Sequence, residues 1–179
     1  FTYDRADGRY HTGLRAFWPY FYGGSSAAPV KPGNNECNGW FNPCALPVSG
    51  ATAYIGLGES THGVELWKSD GTAAGTTLVR DICPGKASSL TTGMVYAMDG
   101  ANMYFAAADA THGVELWKTD GTADGTVMVK DINRHLVPER GSRCPDPTGS
   151  VPHNMYACNG AVYFAAADDM TGTEPWISR

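Results

Sequence analysis

One nine-residue segment recurs along this chain and limits what the chain can fold into. It occurs as Val-Glu-Leu-Trp-Lys-Ser-Asp-Gly-Thr at residues 64–72 and, with Thr in place of Ser, at residues 114–122. A shorter copy, Thr-Glu-Pro-Trp-Ile-Ser-Arg, occupies residues 173–179. A chain that repeats itself in this way folds as a series of similar units, each of which buries its apolar side against the next.

Dipeptides that favour tight turns separate the predicted strands of each unit. Glycine and asparagine accept the positive φ that both central positions of a type I′ turn require. Three such pairs end the first predicted strand of each unit, at residues 49–50, 99–100 and 159–160, and two Asp-Gly pairs follow the tryptophan strand, at 70–71 and 120–121. The stretches between these pairs are short and rich in β-branched and aromatic residues, which favours strands joined by hairpins.

The pattern predicts an all-β domain built from three four-stranded antiparallel, blade-like repeats. A complete unit has about 40 residues, which is the size of a propeller blade. The body covers residues 37–179, with units at 45–82, 95–132 and 155–179. Hairpin connections predict that consecutive strands are neighbours, and the longer stretch at 133–152 is predicted to be a surface insertion. Three units are few for a closed propeller, which leaves an open stack or a trefoil-like arrangement as alternatives.

The third unit stops after its tryptophan strand, so the repeat lacks a fourth strand there. An incomplete sheet exposes unpaired backbone N–H and C=O groups along its edge. Residues 1–22 form an aromatic arm, and Gly, Ser and Pro residues at 23–36 join it to the body as a linker. Residues 6–17 loosely copy the fourth-strand pattern of 69–82. We therefore predict that the arm supplies this strand, to its own chain or to a neighbour, through Tyr10, Leu14, Phe17 and Trp18.

A glutamate stands two residues before the tryptophan in every unit. Residues i and i+2 of a strand share a face, so each pair lies side by side. One interpretation is a ring of acidic and aromatic groups that binds a sugar or calcium. The other is that the tryptophans pack between units while the glutamates accept backbone N–H groups or pair with Arg80 or Lys130. Recurrence in every unit favours the second interpretation, in which the interface residues are Glu65, Trp67, Glu115, Trp117, Glu174 and Trp176.

Charge and motifs argue against several classes of function. The net charge of −5 argues against binding to nucleic acid or to anionic membranes. No apolar run reaches the roughly 20 residues of a membrane-spanning helix. The chain has no GxSxG or HExxH motif and no catalytic cysteine–histidine context, so we predict no enzymatic activity and no catalytic residues.

Acidic residues and histidines are the candidate metal ligands in this sequence. Asp120, Asp124 and Asp131 depart from the ligand spacing of an EF-hand, which leaves calcium as an alternative to the absence of any cofactor or metal. His62 and His112 occupy equivalent positions, but the third unit has Thr171 there. The histidines are therefore predicted to be turn residues rather than metal ligands.

The cysteines and the linker indicate where the protein resides. No CxxC pair is present, so a zinc site of that kind is not expected. Disulfides would place the protein outside the cytosol, and reduced buried cysteines are the alternative. The chain begins at Phe1 without Met, which indicates a processed chain or a fragment. The disulfide candidates are Cys37, Cys44, Cys83, Cys144 and Cys158, and the candidates for an O-glycosylated stretch are Ser25, Ser26, Pro29 and Pro32.

The repeated motif resembles a known family. Glu-Leu-Trp-Lys-Ser/Thr-Asp-Gly-Thr-Ala-x-Gly-Thr, followed by Leu/Met-Val-Arg/Lys-Asp-Ile, is similar to the ELWxxDGT repeat family of secreted, mostly bacterial proteins. The resemblance covers residues 45–179, and the third unit departs from it with Pro175 in place of leucine and no Asp-Gly-Thr. It implies an extracellular β-repeat protein, often propeller-like, without a defined catalytic activity. The detached arm and the incomplete unit also resemble the stem subunit of a glycan-coated extracellular fibril.

These observations lead to two functional predictions. The first is an extracellular structural subunit that assembles head to tail with other copies of itself, into a fibril, by strand donation. Glycans are further expected partners, whereas nucleic acid and membrane insertion are not expected. The alternative is a carbohydrate-binding, lectin-like module that uses Trp67, Trp117 and the nearby acidic residues.

Overall fold

The computed structural model describes residues 2–4, 9–11, 47–90, 94–134 and 149–179; for residues 2–4 and 9–11 it describes only the pairing of the two strands. These residues form thirteen strands and no helix. Accordingly, the described part of the chain contains no helix that is long and apolar enough to cross a membrane. The predicted all-β fold is confirmed.

Three antiparallel sheets account for most of the structure. The first sheet contains β3 (Val48–Ser49), β4 (Thr52–Glu59), β5 (Gly63–Ser69) and β6 (Thr77–Arg80). The second contains β7 (Tyr96–Asp99), β8 (Asn102–Asp109), β9 (Gly113–Thr119) and β10 (Val127–Lys130). The third contains β11 (His153–Cys158), β12 (Ala161–Asp168) and β13 (Gly172–Ser178). In each sheet the strands follow one another in chain order, as hairpin connections require.

The short hairpins differ from the predicted turn type in two of the three sheets. In the first and second sheets the turn residues are Gly-Ala, at 50–51 and 100–101, and only the glycines have positive φ, of 60° and 61°. Positive φ at the first central position alone defines a type II′ turn. In the third sheet Asn159 and Gly160 form the turn, with φ of 53° and 72°, as a type I′ turn requires. The third hairpin is therefore shifted by one residue relative to the others.

The tight turns predicted at Asp70-Gly71 and Asp120-Gly121 are wrong, although β5 pairs with β6 and β9 pairs with β10 as predicted. β5 ends at Ser69 and β6 begins at Thr77, so a seven-residue loop at 70–76 replaces the tight turn expected at Asp70-Gly71. Asp70 closes this loop by accepting hydrogen bonds from the Thr72 N–H and hydroxyl, at 2.9 and 2.7 Å. A Cβ at Gly75 would lie 2.0 Å from the Asp70 carboxylate, which explains the glycine in the repeated motif. The loop at 120–126 repeats these contacts.

The sheets stack face to face, and each has two distinct faces. We define the front face by Ile55, Trp67 and Leu78 in the first sheet, Phe105, Trp117 and Met128 in the second, and Phe164 and Trp176 in the third; in each sheet these side chains pair across neighbouring strands. The back face, on the opposite side, carries Tyr54 and Leu66, then Tyr104 and Leu116, then Tyr163 and Pro175.

Two apolar cores hold the stack together. One core joins the back face of the first sheet to the front face of the second, through Tyr54, Leu66, Phe105 and Trp117. The other joins Tyr104 and Leu116 to Phe164 and Val162 in the same way, with Trp176 packed against it. Phe105 and Val162 have no solvent exposure. The order of contacts is therefore first sheet, second sheet, third sheet, and each interface pairs a back face with a front face.

The predicted donor residues fall mostly outside the described part of the chain. Leu14, Phe17 and Trp18 belong to the stretch at 12–46, which is not described, and so do the predicted linker and the candidate O-glycosylation residues. Tyr10 lies in β2 (Arg9–His11), which pairs with β1 (Thr2–Asp4) in a separate two-stranded sheet. Among the described residues the third sheet has three strands rather than four, and β13 pairs with β12 alone.

Candidate functional site

β13, which pairs with a single strand among the described residues, differs from β5 and β9 in how its glutamate is surrounded. Glu65 of β5 is fully buried and accepts four hydrogen bonds. The backbone N–H groups of Ile82 and Cys83, just beyond β6, donate at 3.1 and 3.2 Å, and Ser89 donates through its N–H at 3.1 Å and its hydroxyl at 2.5 Å. The carboxylate thus fixes the end of the fourth strand and the connection that leads to the next sheet.

Glu115 of β9 repeats this arrangement in the second sheet. It is also fully buried, and it accepts N–H hydrogen bonds from Ile132 at 3.2 Å and Asn133 at 3.4 Å. Ser150 donates through its N–H at 3.0 Å and its hydroxyl at 2.5 Å. It does so although it lies farther along the chain from Glu115 than Ser89 lies from Glu65. The insertion between the second and third units therefore leaves this contact unchanged.

Each connecting segment, residues 86–90 or 149–151, also crosses from one sheet to the next. Ser89 and Leu90 donate their N–H groups to the carbonyl of Val64, at 3.0 and 3.2 Å. The Ser89 carbonyl in turn accepts the N–H of Ala108 in the second sheet, at 2.8 Å. Ser150 accepts from Ala167 in the third sheet at the same distance. The glutamate, the serine and the following sheet thus form one continuous set of contacts.

Glu174 of β13 stands at the equivalent position and has none of these contacts among the described residues. Residues 172–175 are exposed. A Cβ at Gly63 would lie 2.1 Å from the Ala87 carbonyl oxygen of the connecting segment, whereas a Cβ at Gly172 would meet nothing within 4 Å. The start of β13 therefore presents an open acceptor site where β5 and β9 hold a bound segment.

Pro175 lies on the same edge. It replaces the buried Leu66 and Leu116, pairs with Ala165 of β12, and is exposed. Proline lacks an N–H group and is tolerated on edge strands. The open edge of β13 consequently offers fewer donors than an ordinary strand, but the carbonyl groups of β13 and the Glu174 carboxylate remain as acceptors.

The predicted interface tryptophans occupy three different environments. Trp117 is buried between the first and second sheets, and Trp176 packs against the core between the second and third sheets. Lys130 lies over the Trp176 ring, at 4.8 Å from its centroid. Trp67 is half-buried on the front face of the first sheet. Among the described residues, neither Arg80 nor Lys130 pairs with a glutamate; Arg80 donates to the Ala123 and Thr126 carbonyls of the second sheet, at 3.2 and 2.8 Å.

The acidic residues considered for calcium are engaged in local turns. Asp120 accepts from the Thr122 N–H and hydroxyl at 2.8 and 2.6 Å. Among the described residues, no group of three or more His, Cys, Asp or Glu side chains is placed to hold a metal ion. His112 lies in the turn after β8, with Nδ1 2.8 Å from Asp109, and His62 pairs with Glu59 in the equivalent turn. In the third sheet Thr171 donates to Asp168 instead.

Of the five cysteines, two lie in the described part of the chain. Cys83 is buried and is not a free thiol, whereas Cys158 is exposed and free. Cys37, Cys44 and Cys144 lie outside the described residues. The disulfide framework therefore stays a prediction.

Burial of the glutamates predicts a pH-dependent stability. Burial raises the pKa of Glu65 from 4.5 to about 7, against the hydrogen bonds from Ser89, Ile82 and Cys83, and burial also raises the pKa of Glu115. A group with a raised pKa stabilises the fold fully below its unfolded pKa, and this contribution is lost as the pH rises through the folded pKa. We expect the free energy of unfolding to be about 2 kcal/mol greater at pH 5 than at pH 8 because of Glu65 alone.

Chemical denaturation at both pH values measures this difference. Glu65→Gln should remove its share of the pH dependence, and adding Glu115→Gln should flatten the remainder. The acids with lowered pKa, such as Asp70 and Asp168, contribute with the opposite sign, and their contribution is lost only as the pH falls below their ordinary range. An unchanged difference between pH 5 and pH 8 in the doubly substituted protein would show that other groups cause it.

No family model, curated protein or solved structure matches this chain. The resemblance to ELWxxDGT repeats therefore stays a prediction, carried by the motif at residues 64–72 and 114–122. The fold and the site define the chain as an all-β repeat protein in which no strand of the described residues pairs with the outer edge of β13.

Proposed function

We propose that this chain is an extracellular structural subunit that assembles head to tail into a fibril, each copy donating its N-terminal arm to the third sheet of a neighbour. The observation that carries the proposal is the contrast between Glu174 and its two equivalents. Glu65 and Glu115 each hold four donors, whereas Glu174 is exposed and β13 pairs, among the described strands, with β12 alone.

The chemistry of the acceptor site agrees with a donated fourth strand. In the first sheet two of the donors to the glutamate, Ile82 and Cys83, come directly after the fourth strand. By the repeat pattern, Phe17 and Trp18 are the arm residues at these two positions. Backbone N–H groups donated to a carboxylate form charge-assisted hydrogen bonds, which are about twice as strong as neutral ones. A strand added to a free edge also gains a ladder of main-chain hydrogen bonds.

The alternative of a carbohydrate-binding module draws less support from the site. Glu65, Glu115 and Trp117 are buried within the stack, so they present no surface to a sugar. Of the residues suggested for it, Trp67 is half-buried and Glu174 is exposed, and these two lie in different sheets. Location outside the cell and glycosylation remain parts of the proposal that rest on the cysteines and the linker composition.

Deletion of residues 1–22 tests the proposal. We expect the full-length chain to form fibres in negative-stain images and fast-sedimenting species in solution, and the shortened chain to remain monomeric because β13 receives no strand. A synthetic peptide of residues 1–22 should bind the shortened protein, and Glu174→Ala should weaken that binding about tenfold by removing the carboxylate acceptor.

Met170→Ala serves as the matched control, because Met170 is 83% exposed in the turn just before β13. It should bind the peptide and assemble like the unaltered chain. Far-UV circular dichroism checks that the shortened protein keeps its sheets. Fibres of undiminished length from the shortened protein, or a full-length chain that stays monomeric at high concentration, would contradict the proposal.

A further inference from the structure

The back face of the third sheet is a copy of a surface that is buried twice elsewhere in the molecule. In the first and second sheets this face is covered by the next sheet, and Tyr54 and Leu66 are 2% and 0% exposed. In the third sheet the same face carries three exposed side chains, Tyr156 at 67%, Tyr163 at 48% and Ile177 at 47%. An apolar face of this kind in a soluble protein marks an interaction surface.

The front face of the first sheet has the matching composition. Ile55, Trp67 and Leu78 pair across β4, β5 and β6 and are half-buried. Their equivalents in the second sheet, Phe105, Trp117 and Met128, pack on the back face of the preceding sheet. The first sheet thus carries the kind of surface that covers a back face, and the third sheet carries a back face that no described sheet covers.

Polar contacts fix the direction of stacking inside the molecule. Lys68, on the back face of the first sheet, donates from Nζ to the Gly121 carbonyl in the loop of the second sheet, at 2.7 Å. Lys68 also lowers the pKa of Asp120 in that loop, after the larger effect of the Thr122 hydrogen bonds. The loop at 70–76 of the first sheet has the same internal hydrogen bonds and carries Asp70 and Gly71 at the equivalent positions. In the third sheet Ile177 replaces the lysine.

We infer that the front face of the first sheet of a second copy packs on the back face of the third sheet, so that head-to-tail assembly continues the internal stack of sheets. The inference rests on the proposed function and names the surfaces that meet. The second copy is the occupant because its first sheet repeats, position by position, the surface that covers this face twice within one chain. Strand donation completes the edge of the third sheet, and stacking covers its face.

Substitution of Ile177 by residues of opposite charge tests the inference. In a continued stack this position lies beside Asp70 and the Gly71 carbonyl of the second copy, as Lys68 lies beside Asp120 and Gly121. Ile177→Lys should therefore leave the critical concentration for assembly unchanged or lower it. Ile177→Asp places a carboxylate beside Asp70 and should raise the critical concentration at least about tenfold. Sedimentation velocity over a dilution series measures both values.

Met170→Lys and Met170→Asp are the controls, since Met170 is exposed outside this face and both variants should assemble normally. Equal effects of lysine and aspartate at position 177 would overturn the inference, as would assembly of Ile177→Asp at the unaltered concentration. If the deletion of residues 1–22 abolishes assembly while Ile177→Asp has no effect, strand donation stands and face stacking fails. A full-length chain that never assembles overturns both.

Discussion

Replacement of Glu115 by alanine is expected to lower the free energy of unfolding by about 4 kcal/mol. The substitution leaves the buried N–H groups of Ile132, Asn133 and Ser150 without their acceptor, together with the Ser150 hydroxyl. Each buried donor that loses its partner costs about 1–3 kcal/mol, and water that enters the vacated space recovers part of that cost. Chemical denaturation of the full-length protein measures the change.

The chain supplies its own control for this substitution. Glu174→Ala makes the same chemical change at the equivalent strand position, but Glu174 is exposed and accepts no described hydrogen bond. Both variants are compared below the critical concentration for assembly, where no donated strand reaches Glu174, and there we expect Glu174→Ala to change the free energy of unfolding by less than about 0.5 kcal/mol. Equal losses in the two variants would show that the buried hydrogen bonds contribute little and that the change of residue type itself is responsible.

Gly63→Ala is expected to lower the free energy of unfolding by about 3 kcal/mol or more. Gly63 has φ of +66°, where a residue with a Cβ is strained. The added Cβ would also lie 2.1 Å from the Ala87 carbonyl oxygen and 2.8 Å from that of Lys86. Since these atoms belong to the main chain, the connecting segment must move, which weakens the bonds from Ser89 to Glu65.

Gly172→Ala separates the two causes. Gly172 is equivalent to Gly63 and has φ of +86°, but its added Cβ meets nothing within 4 Å. We expect it to cost about 1 kcal/mol, which is the conformational part alone. The difference between the midpoints of denaturation of the two variants measures the contact with the connecting segment. Similar losses at both positions would mean that backbone strain accounts for the whole effect.

The repeat predicted the arrangement of strands well because the evidence for it is local. Hairpin signals and alternating apolar residues determine which strands are neighbours, and the three sheets follow that order. The turn types were harder to predict, since Gly50 and Gly100 are followed by alanine and adopt a different turn from Asn159-Gly160. The Asp-Gly pairs favour tight turns, whereas the Asp70 side chain closes a seven-residue loop with Thr72.

The partners of the buried glutamates could not be found from the motif alone. Ser89 and Ser150 lie at different distances along the chain from Glu65 and Glu115, so no fixed spacing connects them. A signal does exist, because each serine precedes an aliphatic residue, Leu90 or Val151, a few residues before the next unit. The burial of each glutamate could not be predicted either, since the same Glu-x-Trp pattern gives two buried carboxylates and one exposed carboxylate.

The connecting segments affect how a chain of this kind can change its length. Both connecting segments are held by a glutamate on one side and by main-chain groups with a single serine on the other, and the insertion before Ser150 does not disturb that contact. A tandem duplication of one unit with its connection would carry both halves of the link with it. The chain would therefore lengthen one unit at a time, because each added unit stacks on the preceding one and no closed ring of units has to change its size.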